Sequence, residues 1–143
     1  MEKFIWTSQQ AALPALDYGR VERWIASVAA AHGKVLGPLA YIFCDDECIL
    51  SVNRQFLSHD YYTDIITFDN SRGRMVSGDM FISLDTVKSN AEGIGAEYEQ
   101  ELMRVIIHGV LHLCGINDKG PGEREVMEAH ENAALDMWSA MDE

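Results

Sequence analysis

From residue 102 to residue 113 the chain reads Leu-Met-Arg-Val-Ile-Ile-His-Gly-Val-Leu-His-Leu. At 3.6 residues per turn its apolar positions surround the helix axis almost completely, and a helix of that kind is buried. Glu97, Glu99 and Glu101 precede it, placing negative charge where a helix N-terminus favours it. The pattern predicts one long helix over 97–114, with His108 and His112 inside it. A buried imidazole is costly unless it is paired or bound to something.

The two histidines stand four residues apart, which puts both rings on one face, a turn apart. Gly115 suits a left-handed helix end that turns the chain back, so Asp118 reaches the same region from outside the helix. A lone histidine is most simply a hydrogen-bonded polar group. The ordered set His-x3-His-x2-Gly-x2-Asp is hard to explain by packing alone and reads as a metal site of His108, His112 and Asp118. Three protein ligands leave one tetrahedral position for water, as in catalytic zinc sites. Bound Zn2+ lowers the pKa of its water from about 16 to about 7 and polarises a carbonyl or phosphoryl oxygen. Amide and phosphodiester hydrolysis both fit. Iron, nickel or manganese would also accept this donor set. Zinc proteases of the His-Glu-x-x-His type carry a general base directly after the first histidine; here that position is Gly109, which cannot take a proton. A metalloprotease is therefore the weaker alternative.

The segment His108-Gly-Val-Leu-His112-Leu-Cys-Gly115 resembles the His-Gly-x-Leu-His-Leu-x-Gly signature of the YbeY family, single-strand-specific metallo-endoribonucleases of ribosomal RNA maturation. Asn53 through Phe68, with Asp60, Thr63, Asp64 and Thr67, looks like the family's Asn…Asp-x-x-Thr-Asp-Val-Leu-Ser-Phe block. Gly78-Asp79-Met-Phe-Ile-Ser83 looks like its Gly-Asp-Ile-x-Ile-Ser strand. The blocks occur in family order over nearly the whole chain. The resemblance implies a zinc-dependent endoribonuclease acting on the 3′ end of small-subunit rRNA and in ribosome quality control. Asp118 stands where relatives usually have a third histidine; carboxylate oxygen is a competent zinc ligand. Leu57 stands where many relatives have an arginine, and Arg54, one turn earlier, is the expected substitute. Arg54, His59, Thr63 and Asp64 are the expected substrate-contacting residues. A non-catalytic ribosome-assembly module is a further alternative.

The chain's 143 residues make one domain, 1–143. No run of about 18 apolar residues spans a membrane, and the start, Met-Glu-Lys-Phe-Ile-Trp, is too short and acidic for a secretory signal. Cys44, Cys48 and Cys114 are sparse and odd in number, which suits a reducing cytoplasm. A monomer is expected. The net charge of −12 is unusual for a protein that binds nucleic acid through a basic face. Either Arg20, Arg23, Arg54, Arg72, Arg74 and Arg104 gather near a groove, or single-stranded rRNA is bound weakly and a partner on the ribosomal small subunit, or an assembly protein, supplies targeting. The absence of a basic run favours the second.

Elsewhere, 3–8 is expected as an edge strand, and Asp17 as the cap of a helix over 18–32 burying Val21, Trp24, Ile25 and Val28. Strand 39–44 follows Pro38. Asp45 and Asp46 are candidate caps of a helix over 47–57 burying Ile49, Leu50, Val52 and Phe56. Strands 65–69 and 75–83 form a hairpin across the Ser71–Arg74 turn. A helix over 85–93 precedes the buried one. A last helix begins at Pro121, with Val126, Met127, Ala133, Ala134, Met137 and Trp138 as its apolar face; Met127, Met137 and Met141 are core. His130, between Glu128 and Glu131, reads as part of a solvated face. Asp79 inside its strand either orders a loop or faces a cleft. The fold expected is α/β, in the α+β sense: a central mixed sheet of about four strands packed by helices.

Overall fold

Four strands form one sheet in the spatial order β1 (Phe4–Gln9), β2 (Val35–Cys44), β4 (Met75–Ser83), β3 (Ile65–Asp69). The computed structural model from which this architecture is taken describes residues 4–57 and 63–141. β1, β2 and β4 run parallel, while β3 returns antiparallel on β4 as a hairpin. Parallel neighbours need crossovers. α1 (Tyr18–Ala31) joins β1 to β2, and α2 (Asp46–Leu57) leads from β2 toward the hairpin. α3 (Leu84–Ile94), α4 (Tyr98–Leu113) and α5 (Glu123–Ala140) complete the chain. The expected mixed four-stranded α/β architecture is the observed one.

Local chemistry sets the helix ends. Asp17 Oδ1 accepts from Arg20 N at 3.2 Å, Asp45 Oδ1 from Cys48 N at 2.9 Å, and Ser83 Oγ from Thr86 N at 3.3 Å, each satisfying a first-turn donor. The two sheet faces divide the helices. Leu39, Tyr41, Phe43, Val76, Met80 and Ile82 point into the main core with α1 and α4. Cys44, Ile66, Phe68 and Phe81 point the other way, against Ile49 and Val52 of α2.

Ten of the sixteen residues of α4 are buried, so the all-round apolar pattern is used on nearly every side. The sheet lies below it, α3 and α5 flank it, and α1 touches it. Tyr41 OH donates to Ile106 O at 3.0 Å, a buried tie between sheet and helix. The approach of helix to sheet is close. A Cβ on Gly109 would lie 2.7 Å from Met80 Sδ and 3.0 Å from Ile65 Cδ1; one on Gly78 would lie 2.5 Å from Phe68 O and 3.1 Å from Leu113 Cδ2. Arg104, His108 and His112, spaced by four, are half-buried and form the polar stripe of this helix.

Several expectations shift. β2 begins at Val35, not 39, with a break in register between Leu36 and Leu39, where Pro38 has no N–H to give to a ladder. Phe56 is exposed, in a T-shaped contact with Phe68 at 5.7 Å between centroids; the helix turns its buried face through Asn53 instead. The last helix starts at Glu123 because Gly122 takes a left-handed conformation (φ 75°) and Gly120 N donates to Glu123 Oε1 at 2.7 Å. Its buried stripe is Met127, Glu131 and Ala134, while Val126 and Ala133 are exposed. The solvated face around His130 is thus only partial: Glu131 turns inward, and His130 lies edge-on to His32 at 5.1 Å. Met127 is core, as expected, and half-buried Met137 and Met141 pack against it. Asp79 is exposed on the face away from α4, not toward a cleft. The three cysteines are free thiols, and among the described residues no helix is long and apolar enough to cross a membrane.

The two glycines should respond differently to a methyl group. In Gly78→Ala the methyl meets a backbone carbonyl that cannot swing away, so urea unfolding should show a loss of about 1–3 kcal/mol. In Gly109→Ala the thioether of Met80 can yield, and alanine favours the helix by about 1 kcal/mol, so its loss should be smaller. A Gly78→Ala protein with the wild-type unfolding midpoint would refute the close-approach account.

Candidate active site

Arg104 and His108 of the polar stripe, though not His112, open into a cleft of about 910 Å3 whose lining also includes Asp64, Glu101, Asp118 and Glu131. α3, α4, α5, the segment after Gly115 and Asp64 ahead of β3 all line it. Gly115, at φ 98°, reverses the chain after α4, with Gly115 N donating to His112 O at 3.0 Å and Ile116 N to Leu111 O at 3.1 Å. Residues 116–118 then run back and bring Asp118 to His108. On the far side α5 presents Glu131. Its placement is fixed by Trp24 Nε1, which donates to Ala134 O at 2.7 Å, and by Arg20, which donates to Trp138 O at 2.8 Å and stacks over the Trp138 ring at 3.9 Å.

His108 is held between two carboxylates. Its Nε2 lies 3.3 Å from Asp118 Oδ2, and its Nδ1 lies 2.6 Å from Glu131 Oε2. Burial alone would push this imidazole below the ordinary histidine value; the hydrogen bond and charge of Glu131, helped by Asp118 and Asp64, overcome it and raise it. Burial opposes ionisation of Glu131 as well, but the hydrogen bonds from His108 and from Arg104 (Nη1 to Oε1, 2.9 Å) hold its carboxyl below the usual range. Asp64 goes the other way: burial raises it, and the nearby His108 offsets this only in part. Burial raises Glu101 too, against the pull of Arg104. The result is a cluster of carboxylates around one imidazole, an environment that favours positive charge.

The expected site residues fall as follows. His108 and Asp118 meet. His112 sits one turn on, half-buried, and its Nδ1 is sealed from solvent with no hydrogen-bond partner among the described residues. Among those residues no three His, Cys, Asp or Glu side chains converge on one point within metal-binding reach. Asp64 enters the cleft, with its backbone oxygen accepting from Ser83 N at 2.9 Å. Thr63 beside it turns its hydroxyl to Ile65 O at 3.5 Å. Arg54 is exposed on α2, across the sheet from α4, so it does not stand at the cleft in place of an arginine at Leu57. His59 lies outside the described residues. Nor do the arginines gather: Arg20 braces α5, Arg74 donates to Gly33 O at 3.1 Å, and Arg104, the one member of that set lining the cleft among the described residues, is bound to Glu131 and Asn132. Arg124 is the cleft's second guanidinium.

Glu131 and Glu101 are site residues that sequence reasoning missed; Arg104 was offered only as one of six arginines near a groove, not as the partner of Glu131. One signal was available. Glu131 falls in the apolar stripe of α5, four after Met127 and three before Ala134, and a carboxylate at such a position needs a partner.

Comparison with known proteins identifies the family and the fold. A family model described as "Endoribonuclease YbeY" matches residues 7–139. A protein of that name from Bacteroides thetaiotaomicron is 65% identical over 125 residues, covering 87% of this chain and 91% of the relative. One from Porphyromonas gingivalis is 50% identical over 137 residues, covering 96% and 91%. The solution structure of TM1509 from Thermotoga maritima has the same fold, with a TM-score of 0.62 at 19% identity over 96% of this chain and 92% of that one. A family match over nearly the whole length, with relatives at 50% and 65% identity, establishes that this chain belongs to the YbeY endoribonuclease family.

Proposed function

We propose that this chain is a zinc-dependent endoribonuclease that cleaves single-stranded RNA in the cytoplasm, acting on the 3′ end of small-subunit rRNA and in ribosome quality control. The observation that carries the reading is His108, set between two carboxylates in a polar cleft of a chain of this family.

The donor set suits zinc. In a tetrahedral site with bonds of about 2.0–2.1 Å, two donor atoms lie ~3.3 Å apart; His108 Nε2 and Asp118 Oδ2 are separated by 3.3 Å. His112 supplies a second imidazole from the next turn, and its unpartnered buried Nδ1 is the kind of group that an ion or ordered water explains. His108, His112 and Asp118 would hold the ion. Bound there, it would supply an acidified water and a Lewis acid for a phosphoryl oxygen.

The remaining work falls to the chain. Asp64, kept above the usual carboxylate range by burial, takes up a proton more readily than a surface aspartate and can donate it to a phosphate oxygen. The oxygen that attacks phosphorus is water or the ribose 2′-hydroxyl, and a 2′,3′-cyclic phosphate product would mark the second. Splayed bases of a single strand, not a duplex, suit an open cleft. Carboxylates outnumber guanidinium groups along it, so RNA is held weakly, and a monomer is delivered by a ribosomal small-subunit or assembly partner. Peptide hydrolysis lacks its base: the position after His108 is Gly109, packed closely on Met80 and Ile65, and glycine cannot take a proton.

Protein purified without chelator should carry about one zinc per chain by elemental analysis, and His112→Ala should lose it while staying folded by circular dichroism. Wild-type protein that neither carries nor takes up a divalent metal would end the metal reading. With zinc present, single-stranded RNA should be cut and the matching duplex spared. His108→Ala should lower cleavage by more than the roughly 10–100-fold that loss of an outer partner costs. A folded, zinc-loaded wild type that binds single-stranded RNA without cutting it would favour the assembly-module alternative.

A further inference from the structure

We propose that Glu131, clamped by Arg104, is a positioning residue that fixes the proton of His108 on Nδ1 and presents Nε2 to the cleft. This deepens the reading above and rests on it for its consequence in metal binding. The geometry comes from three helical positions. Arg104 and His108 are one turn apart on α4, and Glu131 bridges them from α5. Both carboxylate oxygens are committed: Oε1 accepts from Arg104 Nη1 at 2.9 Å and Oε2 meets His108 Nδ1 at 2.6 Å. The other arm of Arg104, Nη2, donates to Asn132 Oδ1 at 2.8 Å, so the guanidinium is pinned to α5 at two points. Glu131 is 8% exposed. A carboxylate held this way accepts only, so the facing ring nitrogen must carry hydrogen. In the neutral ring that leaves the Nε2 lone pair on the side of Asp118, where a shared cation would sit. A carboxylate on the far nitrogen of a ligating histidine sets ring orientation and raises its basicity.

A bare ion bridge between α4 and α5 would use the same contacts, so the test must read the proton. In zinc-free protein made alkaline enough for a neutral imidazole, 15N NMR should place the His108 proton on Nδ1. Glu131→Gln keeps the shape but can turn an amide N–H toward Nδ1, and it should move the proton to Nε2. Zinc affinity, measured by competition with a chromophoric chelator, should fall about 10–100-fold in Glu131→Gln, with recovery toward wild type in Glu131→Asp. Arg104→Met should give a smaller loss of affinity in the same direction. Wild-type protein with its neutral proton on Nε2, or a folded Glu131→Gln that keeps both the Nδ1 proton and wild-type zinc affinity, would overturn the proposal. If Glu131→Gln does not fold, the wild-type spectrum alone decides. If wild-type protein takes no zinc yet shows the Nδ1 proton, the metal reading fails and the orienting role stands.

Discussion

The close seating of α4 on the β3–β4 hairpin is the constraint on which the rest depends. Two glycines permit it. At Gly109 the helix backbone comes to within a missing methyl of Met80 and Ile65, and at Gly78 the strand leaves the same space for Leu113. Interiors are packed to crystal-like density, so a helix held out by even one methyl group would leave its neighbours without contacts. The large buried side chains of α4, from Leu102 to Leu111, each contribute on the order of 1.5–3 kcal/mol when fully removed from water. That burial offsets the cost of carrying Arg104, His108 and His112 along one side of the same helix.

Charges in the cleft alternate in a way that follows from this seating. Arg104, Glu131, His108 and Asp118 form a chain of opposite signs across α4, α5 and the segment after Gly115. A buried ion pair with one member removed is costly, so each group depends on the next. Glu101 and Asp64 add negative charge at the margin, where burial already resists their ionisation. The site therefore stabilises positive charge at its centre, and the acidity of the chain as a whole is continued inside the cleft. Of the six arginines that might have formed a basic groove, Arg20 and Arg74 hold a helix and a turn, and Arg104, which lines the cleft, is bound to Glu131 and Asn132.

Much of this was open to sequence reasoning. The hydrophobic periods located the strands and helices because period and burial are the same physical fact. The caps at Asp17 and Asp45 and the turn at Gly115 were readable because they are short-range chemistry. Misplaced features share a cause. Phe56 and Val126 are apolar and helical, yet exposed among the described residues; Glu131 is charged, yet two partners arrive from α4 to enclose it. Arg54 lies one turn from Leu57 in the chain, but its helix packs on the sheet face opposite α4 and Arg54 is not among the residues lining the cleft.

By itself the sequence determined a buried helix with two histidines on one side, a glycine turn after it, and a carboxylate three residues beyond, because such features depend only on helical period and backbone freedom. Tertiary structure alone decided which carboxylates meet His108. Asp118 comes back along the chain, but Glu131 is separated from His108 by 23 residues and arrives through the docking of α5. Contacts of that kind depend on how helices pack in space, and no local pattern encodes the angle or register at which they do.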